Sequence, residues 1–372
     1  MTLPAPPAWL LTLASLRFGA DTTAARLLKE ITRDVDVPRP DLIARLAEAL
    51  EIPPGSRGEQ LRRAERYGRA ALERGAANGL QPVPWFADDY PPLLREIVDP
   101  PIVLWRAGVA ASLLRPAVAI VGSRRATPAG LAVARRLAEG LVGAGFVIVS
   151  GLARGIDAAA HEGALAAGGT TVAVLGCGAD VVYPSEHRAL VSRVRATGAV
   201  VSEFHPGTPP LAHHFPLRNR IISGLCRAVI VAQASMRSGS LITARMALEQ
   251  GREVLAVPGT VTSGQFAGGH ALIKDGAGLV ETVEDVLRAL GCVVTAHARA
   301  SNTDKPIEMS KLEGSMAVGE TYSVDELAER TGLAGHQLLA ELGALELAGI
   351  VGRVPGAGFV KFDKSAIGEG HG

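Results

Sequence analysis

The chain has 372 residues, enough for two or three domains, and its 48% hydrophobic and 20% charged content supports packed cores and excludes a disordered polymer. A formal net charge of +1 excludes a molecule that is basic throughout. Three scattered cysteines, Cys177, Cys226 and Cys292, exclude a disulfide framework or a zinc ribbon and point to a reducing cytoplasm.

The apolar run from Trp9 to Leu16 has no Lys or Arg before it, so it is not read as a secretory signal. No stretch approaches the ~18 uncharged apolar residues of a membrane helix, and no membrane association is expected. Residues 1–76 are expected to form a small helical (SAM-like) module. Leu10 to Ile31, Asp41 to Leu50 and Glu59 to Arg74 repeat apolar residues at helical spacing, with Pro38, Pro40, Pro53 and Pro54 between them. Residues 77–114 combine six prolines with Trp85, Phe86, Tyr90 and Trp105 and read as an extended connector packed on the core.

Residues 115–290 change pattern. Near-continuous Val/Ile/Ala runs at 117–121, 147–150, 171–175, 199–202, 228–232 and 254–257 have the character of parallel strands buried on both faces. Helical stretches such as 129–141 and 241–250 lie between several of them, which predicts an α/β, doubly wound, mostly parallel sheet. Residues 291–314 read as a polar linker. Residues 315–364 carry a capping box at Ser323 and Glu326, a second helix at 335–347 and a hairpin around Pro355-Gly356, which is a winged-helix pattern.

The charge is unevenly placed. Arg115 to Arg252 contains 15 Arg, no Lys and 7 acidic residues, whereas Glu253 to the end holds 9 basic and 16 acidic residues. The middle segment therefore suits an anionic partner. Ligands of open parallel sheets bind beyond the carboxyl ends of the strands, and the glycine-bearing loops fall there. Gly122-Ser123-Arg124-Arg125, Gly151 to Asp157 with Arg154 and Gly155, Gly176-Cys177-Gly178, and Ser238-Gly239-Ser240 leading to Thr243 each follow a strand candidate. Gly lets a phosphate approach backbone N–H groups, helix N-termini add partial positive charge, and Arg adds bidentate contacts. The spacing matches neither G-x-G-x-x-G nor G-x-x-x-x-G-K-[ST], so several phosphate positions without a cofactor motif point to a polymeric anion.

In Phe215 to Leu225, Leu217, Ile221, Ile222 and Leu225 share one helical face. Arg218 falls in the same sector and is expected to point into the crevice, flanked by Asn219 and Arg220, while Phe215 stands where it could stack on a base. The same residues also fit a core Phe and an Arg paired with a buried carboxylate. His205, His213 and His214 read as a polar loop face rather than a metal site. Asp157 and His161 read as a helix cap and a surface histidine. Tyr183-Pro184 reads as the end of a loop, with a lesser stacking role.

These motifs, with Ser202-Glu203 and Val257-Pro258-Gly259, follow one another over about residues 115–290 as in the DNA-processing protein A family, also called Smf, which the segment resembles. The resemblance implies a Rossmann-like domain that binds single-stranded DNA without sequence preference. It also implies a homodimer that protects incoming DNA during natural transformation, displaces single-strand binding protein and loads the RecA recombinase. Carried onto this chain, the DNA site comprises Gly122, Ser123, Arg124, Arg125, Gly151, Arg154, Gly155, Phe215, Arg218, Asn219, Arg220, Ser238, Gly239, Ser240 and Thr243, with no catalytic residue, metal or cofactor. Three positions depart from the family pattern. Ala212 stands where some relatives have Lys, with His213 and His214 beside it as partial substitutes at low pH. Gln233 stands where many have Glu, and Gly268-Gly269-His270 where Asn is usual. A competing class is a Rossmann-like hydrolase of nucleotide N-glycosidic bonds, echoed only by Glu249 and the Ser238–Ser240 loop. A third is a duplex-binding regulator acting through the winged helix. There, 4 basic and 7 acidic residues between Ser310 and Phe362 argue instead for a protein contact or a regulatory role.

Overall fold

Short runs of small and β-branched residues, each ended by a polar residue, Gly or Pro, assemble into one nine-stranded sheet in the computed structural model, which describes residues 54–262, 264–292, 311–317, 320–347, 350–354 and 358–361. The strands are β1 (Gln81–Pro84), β2 (Val103–Gly108), β3 (Ala117–Gly122), β4 (Val147–Ser150), β5 (Thr171–Val174), β6 (Ala199–Ser202), β7 (Ala228–Gln233), β8 (Glu253–Ala256) and β9 (Gly278–Leu279). Their order is β1-β2-β6-β5-β4-β3-β7-β8-β9. Seven strands from β6 to β9 run parallel, and β1 and β2 add antiparallel at one edge. The chain winds outward from β3 to β6, then returns to pair β7 with β3 and winds the other way. That reversal is the topological switch point of a doubly wound sheet.

Strand β3 shows why both faces must be covered. Ala119 and Val121 pack with Ile221, Ile222 and Ala244 from helices His214–Gly224 and Ser240–Glu249. Val118 and Ile120 pack on the other face with Leu137, Leu141 and Ile156 from helices Pro128–Gly143 and Ile156–Ala166. A strand apolar at every position gains hydrophobic stabilisation on both sides only between two helical layers.

The segment 77–114 is not a connector. It forms β1, helix Pro92–Glu96 and β2, with Tyr90, Leu94, Leu104 and Trp105 fully buried. Pro82 and Pro84 hide β1 from a periodicity reading, and an edge strand is where missing N–H donors are tolerated. Helix Pro54–Ala77 covers the third helical stretch, and Gly75 lies close enough to Trp105 that a Cβ would stand 2.6 Å from its ring. The first two helical stretches lie outside the described residues. Among the described residues, no helix is long and apolar enough to cross a membrane.

The chain divides into two units between Val294 and Thr295. In the second, helices Lys311–Ser315, Val324–Thr331 and Gly335–Leu347 precede or flank an antiparallel sheet ordered β10 (Thr321–Tyr322), β12 (Gly358–Lys361), β11 (Val351–Val354). Ser323 and Glu326 form the reciprocal capping box. Leu312 and Met316 are buried with Tyr322, Leu327, Leu338 and Phe359, so this unit begins at or before Lys311 and the expected linker is shorter than 291–314.

Candidate functional site

Parallel pairing sets the carboxyl ends of β3 and β7 side by side, and the loops that follow them enclose a groove of about 630 Å³. The register slips between Val121 and Gly122, and Ser123 N donates to Gln233 O at 2.7 Å, which locks the two strand ends together. Gly155 holds φ +79° directly against Ser123 O, where any Cβ would collide, so only glycine closes that turn. Gly122 is equally confined, since a Cβ would meet Ile156 Cγ1 at 2.6 Å and Gln233 O at 2.7 Å.

Four arginines line the groove: Arg124, Arg125, Arg218 and Arg237. The lining carboxylate, Asp157, is buried and receives Gly151 N at 3.1 Å and Ala153 N at 3.4 Å. Burial raises the Asp157 pKa, opposed by the Arg218 charge. Asp157 thus organises the loop from inside the helix's first turn and is not its N-cap. Ser238, Gly239 and Ser240 line the far wall, where the helix that begins at Ser240 has no side-chain cap and presents its N-terminus. The Ser238 and Ser240 hydroxyls hydrogen-bond at 2.7 Å, and Thr243 lies buried behind them. Phe215 is half-buried; the Arg124 guanidinium sits 5.3 Å from its ring centroid and the Tyr183 ring 5.5 Å away, tilted 42°.

Eleven of the expected residues meet on this groove: Gly122, Ser123, Arg124, Arg125, Phe215, Arg218, Asn219, Ser238, Gly239, Ser240 and Thr243. Gly151 and Arg154 line a smaller arm of about 30 Å³ behind Phe215 and Tyr183. Gly155 and Arg220 line neither.

The two helical arginines differ sharply. Arg218 is 4% exposed and donates through Nη1 to Gly151 O at 2.8 Å and to Val174 O. Burial lowers its pKa to about 10, with Asp157 acting in the opposite direction. Its Nη1 is engaged on carbonyls at the strand ends and its Nε reaches Asn219 Oδ1 at 3.3 Å, while its charge lines the groove. Arg220 forms a fork on Glu203, Nη1–Oε1 2.8 Å and Nη2–Oε2 2.6 Å, and adds Asp99 at 3.2 Å. It anchors its helix to the core rather than facing the groove.

Several single residues sit differently from the expectation raised by the sequence. His161 is fully buried, bonds Thr171 Oγ1 at 2.7 Å and has its pKa lowered to about 3 by burial, with His187 and Arg218 adding to it. His205 packs edge-on to Trp105 with its pKa lowered to about 4 by burial, and His214 stacks on Phe204 at 4.0 Å. These two are packed rings, not a polar loop face. Burial also lowers the His214 pKa, which opposes its charging beside Ala212, and Ala212 itself lines the groove. Gln233 accepts from Thr127 N at 3.0 Å and Thr127 Oγ1 at 3.1 Å, and its amide donates to Gln265, so it organises the start of helix Pro128–Gly143. His270 accepts from Gly259 N at 3.3 Å. Among the described residues, no three His, Cys, Asp or Glu side chains gather as metal ligands. Arg237 was not anticipated, although it follows β7 as Arg124 follows β3, a placement visible once both strands are paired.

The family model described as DNA recombination-mediator protein A matches residues 82–291, and one described as DprA winged helix domain matches residues 319–357. Protein Smf of Escherichia coli is 39% identical over 324 residues, covering 83% of this chain and 86% of its own. DNA processing protein DprA of Streptococcus pneumoniae is 50% identical over 200 residues, 54% of this chain and 71% of its own. The X-ray structure of the Streptococcus pneumoniae protein superposes with a TM-score of 0.68 at 37% identity, covering 77% of this chain and 98% of that one. A structure addressing the single-stranded DNA binding mode of DNA processing protein A from Helicobacter pylori matches with a TM-score of 0.52 at 29% identity, covering 57% of this chain and 95% of that one.

Proposed function

Because this chain belongs to the DNA recombination-mediator protein A family, we propose that it binds single-stranded DNA without sequence preference along the β3–β7 groove and acts as a recombination mediator rather than as an enzyme. One observation carries the reading: four arginines around a single buried, backbone-bonded carboxylate line a groove with a half-exposed phenylalanine at its edge. Arg124, Arg125 and Arg237 supply phosphate contacts, as does the Ser240 helix N-terminus, and these carry no sequence information. Phe215 supplies a stacking face that accepts any base. Arg218 supports from the floor, and the binding mode named for the Helicobacter pylori relative agrees with a single strand.

Loading of RecA, displacement of single-strand binding protein, a homodimer and a role in natural transformation extend the same reading, on the strength of family membership. The glycosidic alternative weakens on geometry. Glu249 is exposed at the last turn of the helix that Ser240 begins, nine residues on, which puts them about 13 Å apart along the axis. Glu249 therefore does not serve the Ser238–Ser240 loop.

Binding to labelled dT oligomers, mixed-sequence single strands and duplex of equal length, over a salt series, tests the proposal. The expected result is similar affinity for both single strands, tighter than for duplex, with a steep salt dependence. Equal affinity for duplex would overturn it. Sedimentation of the full chain at tens of micromolar should give a dimer.

A further inference from the structure

On the DNA-binding reading of the groove, we propose that Glu186 is a built-in competitor for DNA phosphate, holding Arg154 in an internal ion pair that the strand must displace. Arg154 Nε is bound to Glu186 Oε1. Both side chains are well exposed, at 64% and 47%, so the pair is solvated and weak enough to exchange. It differs from the rest of the groove: among the described residues, no carboxylate pairs with Arg124, Arg125 or Arg237.

The pair is positioned, not incidental. Glu186 lies in the turn Ser185–His187, directly after the buried Pro184. The next residue, His187, makes a 2.9 Å bond through Nδ1 to Leu152 O. Leu152 is fully buried with φ +58°, two residues before Arg154. The loop of the carboxylate is thus tied to the loop of the guanidinium, which keeps the two side chains in reach of each other.

Arg154 also lines the small arm. Arg124, Tyr183, Phe215 and Arg218 border both the wide groove and this arm, so the two are continuous. The arm holds about 30 Å³, room for two or three waters by the usual measure of about 10–15 Å³ each, and not for a phosphate. The wide groove accepts a strand as it stands. The arm takes a phosphodiester only when Arg154 leaves Glu186 and turns to the strand. The expected consequence is a groove with one open position and one that is occupied by competition, so that the protein's own carboxylate limits its affinity.

The experiment is a double-mutant cycle in the full chain, with E186Q, R154A and the double variant, reading dT-oligomer affinity at moderate salt. The isosteric E186Q should melt like the parent and bind about two- to fivefold more tightly, the span of exposed ion-pair coupling. In the R154A background the same change should give no gain, because no guanidinium remains to be released. A gain of equal size in both backgrounds would show general charge repulsion and overturn the competition. Parent-like or weaker binding by E186Q would also overturn it. A parent that does not bind dT oligomers would instead remove the DNA-binding reading beneath it.

Discussion

Replacing Arg218 by Ala and Arg124 by Ala should give opposite results, although both arginines border the same groove. The Arg218 change deletes the donors to Gly151 O and Val174 O and leaves the buried Asp157 without the opposing charge. Leaving two buried carbonyls unpaired and a buried carboxylate without its nearby opposite charge costs about 3–5 kcal/mol. In a domain of this size each kcal/mol moves the thermal midpoint by about 2–4 °C, so Arg218→Ala should melt roughly 6–20 °C below the parent. Arg124 is exposed and stacks on Phe215. Its removal should change stability by no more than about 0.5 kcal/mol. It should instead flatten the dependence of log affinity on log salt by about 0.7, the contribution of one phosphate contact on a single strand. Calorimetry and fluorescence anisotropy over a salt series, both below the lower midpoint, separate the two effects. An Arg218→Ala protein that melts with the parent and loses a phosphate contact would refute the assignment of Arg218 to the floor.

Phe215→Ala should weaken dT-oligomer binding by about 1–3 kcal/mol and leave the salt slope unchanged, since it removes a stacking face and no charge; anisotropy at two salt concentrations checks both. The buried His161 and His205, lowered to about 3 and about 4, take up protons near pH 6.5 only once unfolded. Their folded pKa values lie below the unfolded one, so the stability they contribute is complete above pH 6.5 and is lost as pH falls from there toward 4. Each contributes a slope approaching about 1.4 kcal/mol per pH unit. Denaturant melts between pH 7 and 4 should show this slope, and His205→Asn should reduce it by roughly half.

The strands were legible because a parallel sheet covered on both faces leaves nothing but apolar runs; 147–150 and 199–202 read as the strands they are. The sheet edges were not. Pro82 and Pro84 mask β1, and β9 has only two residues, Gly278 and Leu279, too short to show a pattern. The convergence of the site was legible for the same reason as the sheet, since glycine-bearing loops after parallel strands share one end. Side-chain direction was not. Arg218 and Arg220 are two residues apart on one helix, about 200° around its axis. Which guanidinium meets carbonyls and which meets Glu203 depends on partners 17 to 67 residues away. His161 was misplaced because its helix lies against Thr171, a contact no local spacing reveals.

The return of the chain to pair β7 with β3 also bears on how the protein is made. Thr127 and Gln233, which join across the switch point, are 106 residues apart in sequence. A ribosome releases residues in order, so β3 to β6 can emerge and pair while the site still lacks its second half. A nascent chain that has not yet delivered Gln233 has no groove, whatever its arginines. On the DNA-binding reading, the groove therefore forms late, after a pairing of strands distant in sequence that the topology makes slow.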